Sequence, residues 1–186
     1  MTVPRRRTKR RWLRWLLLLA VLDAAAFYWW WSNQAERRHN GIIREAAEEH
    51  GVEYALIKAV IWQESRFRED AVGDAGEIGL MQLMDLAAFE WADDHGVRNF
   101  EHSHVYDPRT NIHAGTYYLK TRLARYRHTD DPLPYALADY NAGRARVVRW
   151  ASEPARTNSA AFLQNIDFPS TRRYIDQVTR RRDHYR

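Results

Sequence analysis

Glu64 is the residue whose type and spacing point most directly to chemistry. It lies within Ile61-Trp62-Gln63-Glu64-Ser65-Arg66. At helical spacing Ile57, Ile61 and Glu64 are i, i+4 and i+7, and Val60 joins the same stripe, so one carboxylate falls on the face expected to be buried. Apolar surroundings penalise the ionised form and raise the pKa, as a general acid working near neutral pH requires. The ordinary alternative is a helix-end glutamate turned to water, because buried unpaired glutamate is rare. Asp74, Asp93, Asp94 and Asp107 are possible second carboxylates, but none has a setting that singles it out. Without cysteine there is no thiolate nucleophile, disulfide framework or Cys-ligated metal. His95, His102, His104 and His113 show no His-Glu-x-x-His spacing, so no metal or other cofactor is expected. Trp62 and Trp91 suit either sugar stacking or core packing.

The elements that must position Glu64 read as helices. Residues 52–67 form its own helix, preceded by one over 34–50 that ends at Gly51, a C′ glycine. Residues 68–78, with Gly73, Gly76, Asp70 and Asp74, form a loop. The apolar run from Gly79 continues as helix toward Trp91, and 93–106 is irregular. Asp107-Pro108 and Asp131-Pro132 each pair an N-cap side chain with proline at the first helical position. They open helices over 108–127, with Gly115 on its inner stripe, and over 132–140. Asn141-Ala142-Gly143 ends the second, 144–151 adds a turn or two, 152–166 is loop-rich, and Ser170 or Thr171 caps a last helix carrying Tyr174, Ile175 and Val178. No stretch alternates long enough to be a strand. The expectation is an all-α domain of about seven short helices.

The chain of 186 residues has a net charge of +5, and that charge sits at its ends. Residues 1–35 carry a net +6 and residues 172–186 a net +4, while 36–171 carry −5. An acidic body argues against nucleic acid as a partner. From Trp15 to Trp31 the chain is apolar except for Asp23. Arg5 to Arg14 precede this run and Tyr28-Trp29-Trp30-Trp31 close it, the pattern of a membrane anchor with a basic cytoplasmic side. Ala24-Ala25-Ala26 leaves a cleaved signal as the alternative. The expected organisation is a basic cytoplasmic segment (1–14), a transmembrane helix (15–31), a stalk or first helix (32–47), a catalytic domain (48–180) and a basic tail (181–186). The localisation expected is the inner membrane, single-pass, with the domain in the periplasm or cell-wall space.

Five pieces occur in one order: Glu64-Ser65; Gly79-Leu80-Met81-Gln82; Asn111-Ile112 with Gly115 and Tyr118-Leu119; Ala138-Asp139-Tyr140-Asn141-Ala142-Gly143; and Thr171-Arg172-Arg173-Tyr174. Over residues 48–180 this resembles the catalytic domain of the soluble-lytic-transglycosylase type, related to goose-type lysozymes. The resemblance implies a lysozyme-like helical fold and peptidoglycan glycan strands as substrate. It also implies cleavage of the β-1,4 bond between N-acetylmuramic acid and N-acetylglucosamine with formation of a 1,6-anhydro end. Glu64 would act first as acid and then as base. Tyr140 resembles the tyrosine that bonds the catalytic carboxyl, and Ser65, Met81, Gln82 and Asn141 would line the sugar site.

Two positions depart from the family pattern. Gly73 stands where a serine is frequent before the Gly-Ala-x-Gly-Leu-Met-Gln region, and Ser170 stands where glutamate is common before Thr-x-x-Tyr. A hydrolytic muramidase and a non-catalytic wall-binding scaffold are the rival functions.

Overall fold

The computed structural model describes the backbone of residues 6–186, and side chains from residue 12 onward except those of residues 29, 32 and 33. The first five residues of the expected basic segment (1–14) lie outside the described residues. The chain divides into two units, 1–38 and 39–186. The first is one helix, α1 (Arg6–Arg38), which runs through the expected boundaries near residues 14 and 31. Its apolar side chains, among them Trp12, Leu16, Leu17 and Phe27, are exposed. Among the described residues, no helix is long and apolar enough to cross a membrane. The transmembrane helix expected over 15–31 is therefore not met. Arg14 opens the apolar stretch, Asp23 interrupts it and Tyr28 begins its polar-tipped aromatic end.

The second unit is helical throughout: α2 (Asn40–His50), α3 (Tyr54–Ser65), α4 (Asp85–Asp94), a 3-10 turn (His102–Tyr106), α5 (Pro108–Arg125), α6 (Pro132–Ala142), α7 (Arg144–Trp150), α8 (Ser159–Asn165) and α9 (Pro169–Tyr185). Among the described residues this unit holds nine helices rather than about seven, and α1 brings the total to ten. The extra ones are short. The 3-10 turn lies in the stretch expected to be irregular, and α8, capped by Asn158 on the Ala161 amide, lies in the stretch expected to be loop-rich. Local chemistry fixes several boundaries as expected. Gly51 ends α2 at φ 66°, Asp107 caps α5 on the Thr110 amide at 2.8 Å, and Asp131 caps α6 on the Leu133 amide at 3.0 Å. The residues expected as a basic tail continue α9 to Tyr185. Arg182 and Arg186 both bond Glu53, just ahead of α3.

The apolar run after Gly79 departs most from expectation. It is a folded loop, with isolated bridges joining Ile78 to Val72 and to Leu83, and helix begins only at Asp85. Two residues of the loop have left-handed backbones, Gly79 at φ 78° and Gln82 at φ 47°. A Cβ at position 79 would lie 2.3 Å from Asn111 Nδ2, so glycine is required there. Asn111, fully buried on α5, holds the loop. Its side-chain oxygen accepts from the Met81 amide at 2.8 Å, and its Nδ2 donates to the Ile78 and Val105 carbonyls at 2.8 Å each. Gly115, one turn along α5, lets the Met81 side chain lie flat on the helix, since a Cβ there would meet Met81 Sδ at 2.4 Å.

Asn111→Ala leaves the Met81 amide and the Val105 carbonyl without partners, while the Ile78 carbonyl keeps the Leu83 amide at 3.0 Å. At about 1–3 kcal/mol for each orphaned group, a loss of at least about 2 kcal/mol in stability is expected from urea unfolding. An unchanged midpoint would show that the loop does not depend on Asn111.

Candidate active site

Glu64 occupies the last turn of α3, where the helix meets two successive left-handed residues, Arg66 at φ 55° and Phe67 at φ 61°. The same face carries Ile57, Val60 and Ile61, all fully buried, as the spacing predicts. Glu64 is only partly covered, so its carboxyl faces a desolvating wall while remaining within reach of solvent. Burial pushes it up to about 7, and the charge of Glu77 pushes the same way; a hydrogen bond from Tyr174 pulls against both. The net rise leaves a substantial protonated fraction at neutral pH.

The bond to the carboxyl comes from a different tyrosine than the one expected. Tyr174 Oη, on the second turn of α9, donates to Glu64 Oε1 at 2.6 Å. Tyr140 Oη instead donates to the Met81 carbonyl at 2.8 Å. The two tyrosines share one environment: burial raises each hydroxyl well above its ordinary range, and the charge of Glu64 raises each further. Both therefore stay protonated beside the carboxylate. The packing of α9 along α3 decides the partner, placing Tyr174 over the carboxyl. Tyr140 is held by α6, whose Asp139 is buried and accepts from Arg125 at the end of α5 at 2.6 Å and from Tyr126 just after it at 2.7 Å. Tyr118 packs edge-on to Tyr140 with ring centres 5.4 Å apart. The signal for Tyr174 was present in Thr171-x-x-Tyr174, but nothing local showed its hydroxyl turned to Glu64.

The other expected site residues divide. Ser65 is buried and donates to the Leu80 carbonyl at 2.8 Å, tying the end of α3 to the loop rather than facing a ligand. The Met81 side chain is fully buried against α5, so only its backbone belongs to the site. Gln82 is half-buried; its amide nitrogen donates to the Gly79 carbonyl at 2.8 Å and the Ala71 carbonyl at 3.1 Å. Asn141 is exposed, and its oxygen accepts from Thr171 at 3.0 Å. Thr171 thus joins the start of α9 to the end of α6.

Glu77 was not among the expected site residues. A Cβ at Gly73 would lie 2.2 Å from Glu77 Oε2, so the Glu77 carboxyl fills the space that a side chain at 73 would occupy. The loss at Gly73 is therefore accompanied by an acidic group whose charge reaches Glu64. Trp62 is not free for stacking, because the guanidinium carbons of Arg66 and Arg181 lie 3.2 Å and 3.6 Å from its ring centre. A cavity of about 370 Å³ bordered by Trp91, Val97, Phe100 and His104 takes in none of these groups.

Known proteins resemble the chain in sequence and in fold. The sequence pattern of the Transglycosylase SLT domain matches residues 41–163. The membrane-bound lytic murein transglycosylase F of Desulfosudis oleivorans is 38% identical over 113 residues, covering 59% of this chain and 23% of that protein. The soluble lytic murein transglycosylase of Escherichia coli K12 is 28% identical over 150 residues, covering 80% of this chain and 23% of that protein. The crystal structure of the 70-kDa soluble lytic transglycosylase of Escherichia coli superposes with a TM-score of 0.71 at 27% identity, over 80% of this chain and 24% of that one. The chain thus spans about a quarter of the length of these relatives. With the pattern covering most of the helical unit and the fold agreeing, the chain belongs to the Transglycosylase SLT domain family.

Proposed function

We propose that the chain is a peptidoglycan lytic transglycosylase. It would cleave the β-1,4 bond between N-acetylmuramic acid and N-acetylglucosamine and leave a 1,6-anhydromuramic acid end. The observation that carries this reading is one solvent-reachable carboxyl, Glu64, held near a pKa of 7 by burial and bonded by a tyrosine that keeps its own proton. Such a group can serve twice. Protonated, it donates to the leaving glycosidic oxygen; as carboxylate, it then accepts the proton of the muramic acid 6-hydroxyl as that oxygen closes on C1. The acetamido group of the substrate takes the place of a second protein carboxylate, a known departure from two-carboxylate glycoside cleavage.

Tyr174 fixes the rotamer of Glu64, and Tyr140 fixes the Met81 backbone beside it. Gln82, partly exposed, and Asn141, exposed, are the polar residues of the expected set offered to sugar. Glu77 supports a second reading, hydrolysis on the same fold, in which a neighbouring carboxylate would direct water in place of the 6-hydroxyl. The exposed apolar side chains of α1, behind a run of arginines, support a place for the domain at a membrane on the exported side. Recovery of the full chain in the soluble fraction after cell lysis would refute that placement.

Mass spectrometry of the muropeptides released from purified sacculi decides the reaction. Anhydro ends are expected; reducing ends alone would establish hydrolysis. Glu64→Gln should remove product by at least about a hundredfold, the scale of a lost general acid, with an unchanged circular dichroism spectrum.

The acid must be protonated, so kcat/KM should fall as pH rises through about 7. Tyr174→Phe removes the one bond that lowers the Glu64 pKa and should move this limb to higher pH. Glu77→Gln removes a charge that raises it and should move the limb to lower pH. Shifts in the same direction would refute the assignment of causes.

Stability carries the same signature. The folded pKa lies above the unfolded value of 4.5. The contribution of Glu64 is therefore complete below pH 4.5 and is lost as pH rises through 7. Glu64→Gln escapes that loss, and should exceed the parent by about 2–3 kcal/mol at pH 8, with the gap closing near pH 4. A constant difference across that range would show that Glu64 is not desolvated.

A further inference from the structure

At the other end of α3 from Glu64, about 15 Å along the helix, a second cluster has no part in this chemistry. Glu49 and His50 end α2, and His95 follows α4. Their ligand atoms lie within 4.8 Å of one another. His50 Nε2 stands 3.7 Å and His95 Nε2 3.9 Å from the same carboxylate oxygen, Glu49 Oε1. None of these spans is a hydrogen bond, and the separations are those of ligands around a common centre. In a tetrahedral zinc site with arms of about 2.0–2.1 Å the ligand atoms stand about 3.3–3.4 Å apart, so closure needs shifts of about half an ångström toward Glu49 Oε1 and up to about 1.4 Å between the farthest pair.

Three independent details point the lone pairs inward. His50 is 5% exposed, and its Nε2 is buried with no hydrogen-bond partner, an unsatisfied polar atom aimed at the cluster. His95 Nδ1 lies 2.8 Å from the Trp91 carbonyl, which can only accept. The ring proton therefore sits on Nδ1 and leaves the Nε2 lone pair facing Glu49, the orienting bond that metal-bound histidines make. The other oxygen of the carboxylate, Glu49 Oε2, is 3.2 Å from Nδ1 of buried His113, which fixes its direction. Burial also lowers the pKa of His50, favouring the neutral, ligating ring; of its neighbours, the Glu49 charge opposes this while His113, His95 and Lys120 reinforce it. Tyr117 packs on His50 and His95 and closes one side. Glu49 is half exposed, which leaves a fourth position open to water.

We propose that Glu49 Oε1, His50 Nε2 and His95 Nε2 form a binding site for a divalent transition metal of the zinc class, joining the end of α2 to the end of α4. Two imidazoles and one carboxylate suit zinc and disfavour magnesium or calcium, which prefer oxygen ligands. The site lies away from Glu64 and is independent of the reaction assigned there. Sequence spacing gives no hint of it, because the pair at 49 and 50 meets His95 only through the packing of α2 and α4 around α5.

Isothermal titration of the untagged full-length chain with zinc alone tests the site. One zinc per chain is expected, with a rise in Tm of roughly 5–10 °C at a hundredfold excess over Kd and no rise with magnesium. Bound cobalt should show visible d–d absorption. His95→Gln and Glu49→Gln, both at exposed positions and checked for folding by circular dichroism, should each weaken binding at least about tenfold, as should His113→Gln by releasing the carboxylate. His128→Gln, outside the cluster, should bind as the parent does. Absence of stoichiometric binding, or an affinity unchanged in either His95→Gln or Glu49→Gln, would overturn the proposal.

Discussion

The site depends on a balance at one carboxyl. Burial against the end of α3 favours the neutral form of Glu64, and one short bond from Tyr174 favours the charged form. If burial acted alone, the group would hold its proton too tightly to return as a base. A fully solvated group would not hold it at pH 7 at all. The bond sets the compromise, and its donor is itself kept protonated by the same burial and by the charge it faces. Tyr174 thus does not compete for the proton. It supplies direction and a limited amount of charge stabilisation, and leaves the second carboxyl oxygen free of any protein bond among the described residues.

Holding that balance requires rigid surroundings at the end of α3. One wall is the loop from Gly79 to Met84, and α5 holds it by two contrasting devices. Asn111 satisfies three backbone groups of the loop and its neighbour, while Gly115 removes side-chain bulk so that Met81 can lie against the helix. Tyr140 completes the wall by bonding the Met81 carbonyl, and Ser65 links the end of α3 to the carbonyl one residue earlier. Backbone strain gathers at the same place. Arg66, Phe67 and Gln82, three of the four described non-glycine residues with positive φ, lie just after Glu64 and in the loop that Ser65 ties to the end of α3. Each such conformation costs about 1–2 kcal/mol, and they persist because the hydrogen bonds around Asn111, Ser65 and Gln82 leave the chain no relaxed alternative.

What the sequence made legible follows from range. Asp107, Asp131 and Gly51 act within one turn of their own helices, and their caps form where local chemistry puts them. The burial of Glu64 was legible for the same reason, since Ile57, Val60 and Ile61 share its helix. The apolar run after Gly79 misled because its pattern suits a helix. What makes it a loop is an asparagine more than thirty residues away and a glycine whose neighbour leaves no room for a side chain. The exchange of Tyr140 for Tyr174 has a similar origin. Both tyrosines stand in motifs and both face the site, but which hydroxyl reaches the carboxyl is fixed by how α9 lies on α3. The ion pairs of Arg182 and Arg186 with Glu53 help to set that packing, and residues 181–186 looked like a solvated tail.

Gly73 and Glu77 show how a departure from pattern can be local and compensated at once. Position 73 cannot carry a side chain while the Glu77 carboxyl occupies its space, and that carboxyl caps the turn by accepting from the Ala75 amide at 3.1 Å. The two positions therefore change together: a side chain at 73 would expel Glu77, and a small residue at 77 would leave room for one at 73. The exchange replaces a neutral hydrogen-bonding group with a negative charge whose influence reaches Glu64 and raises its pKa. Taken with the bond from Tyr174, the proton affinity of Glu64 is set by burial at the end of α3, by Tyr174 on α9 and by Glu77 in the loop. Glu77 belongs to the loop that departs from the family pattern at Gly73.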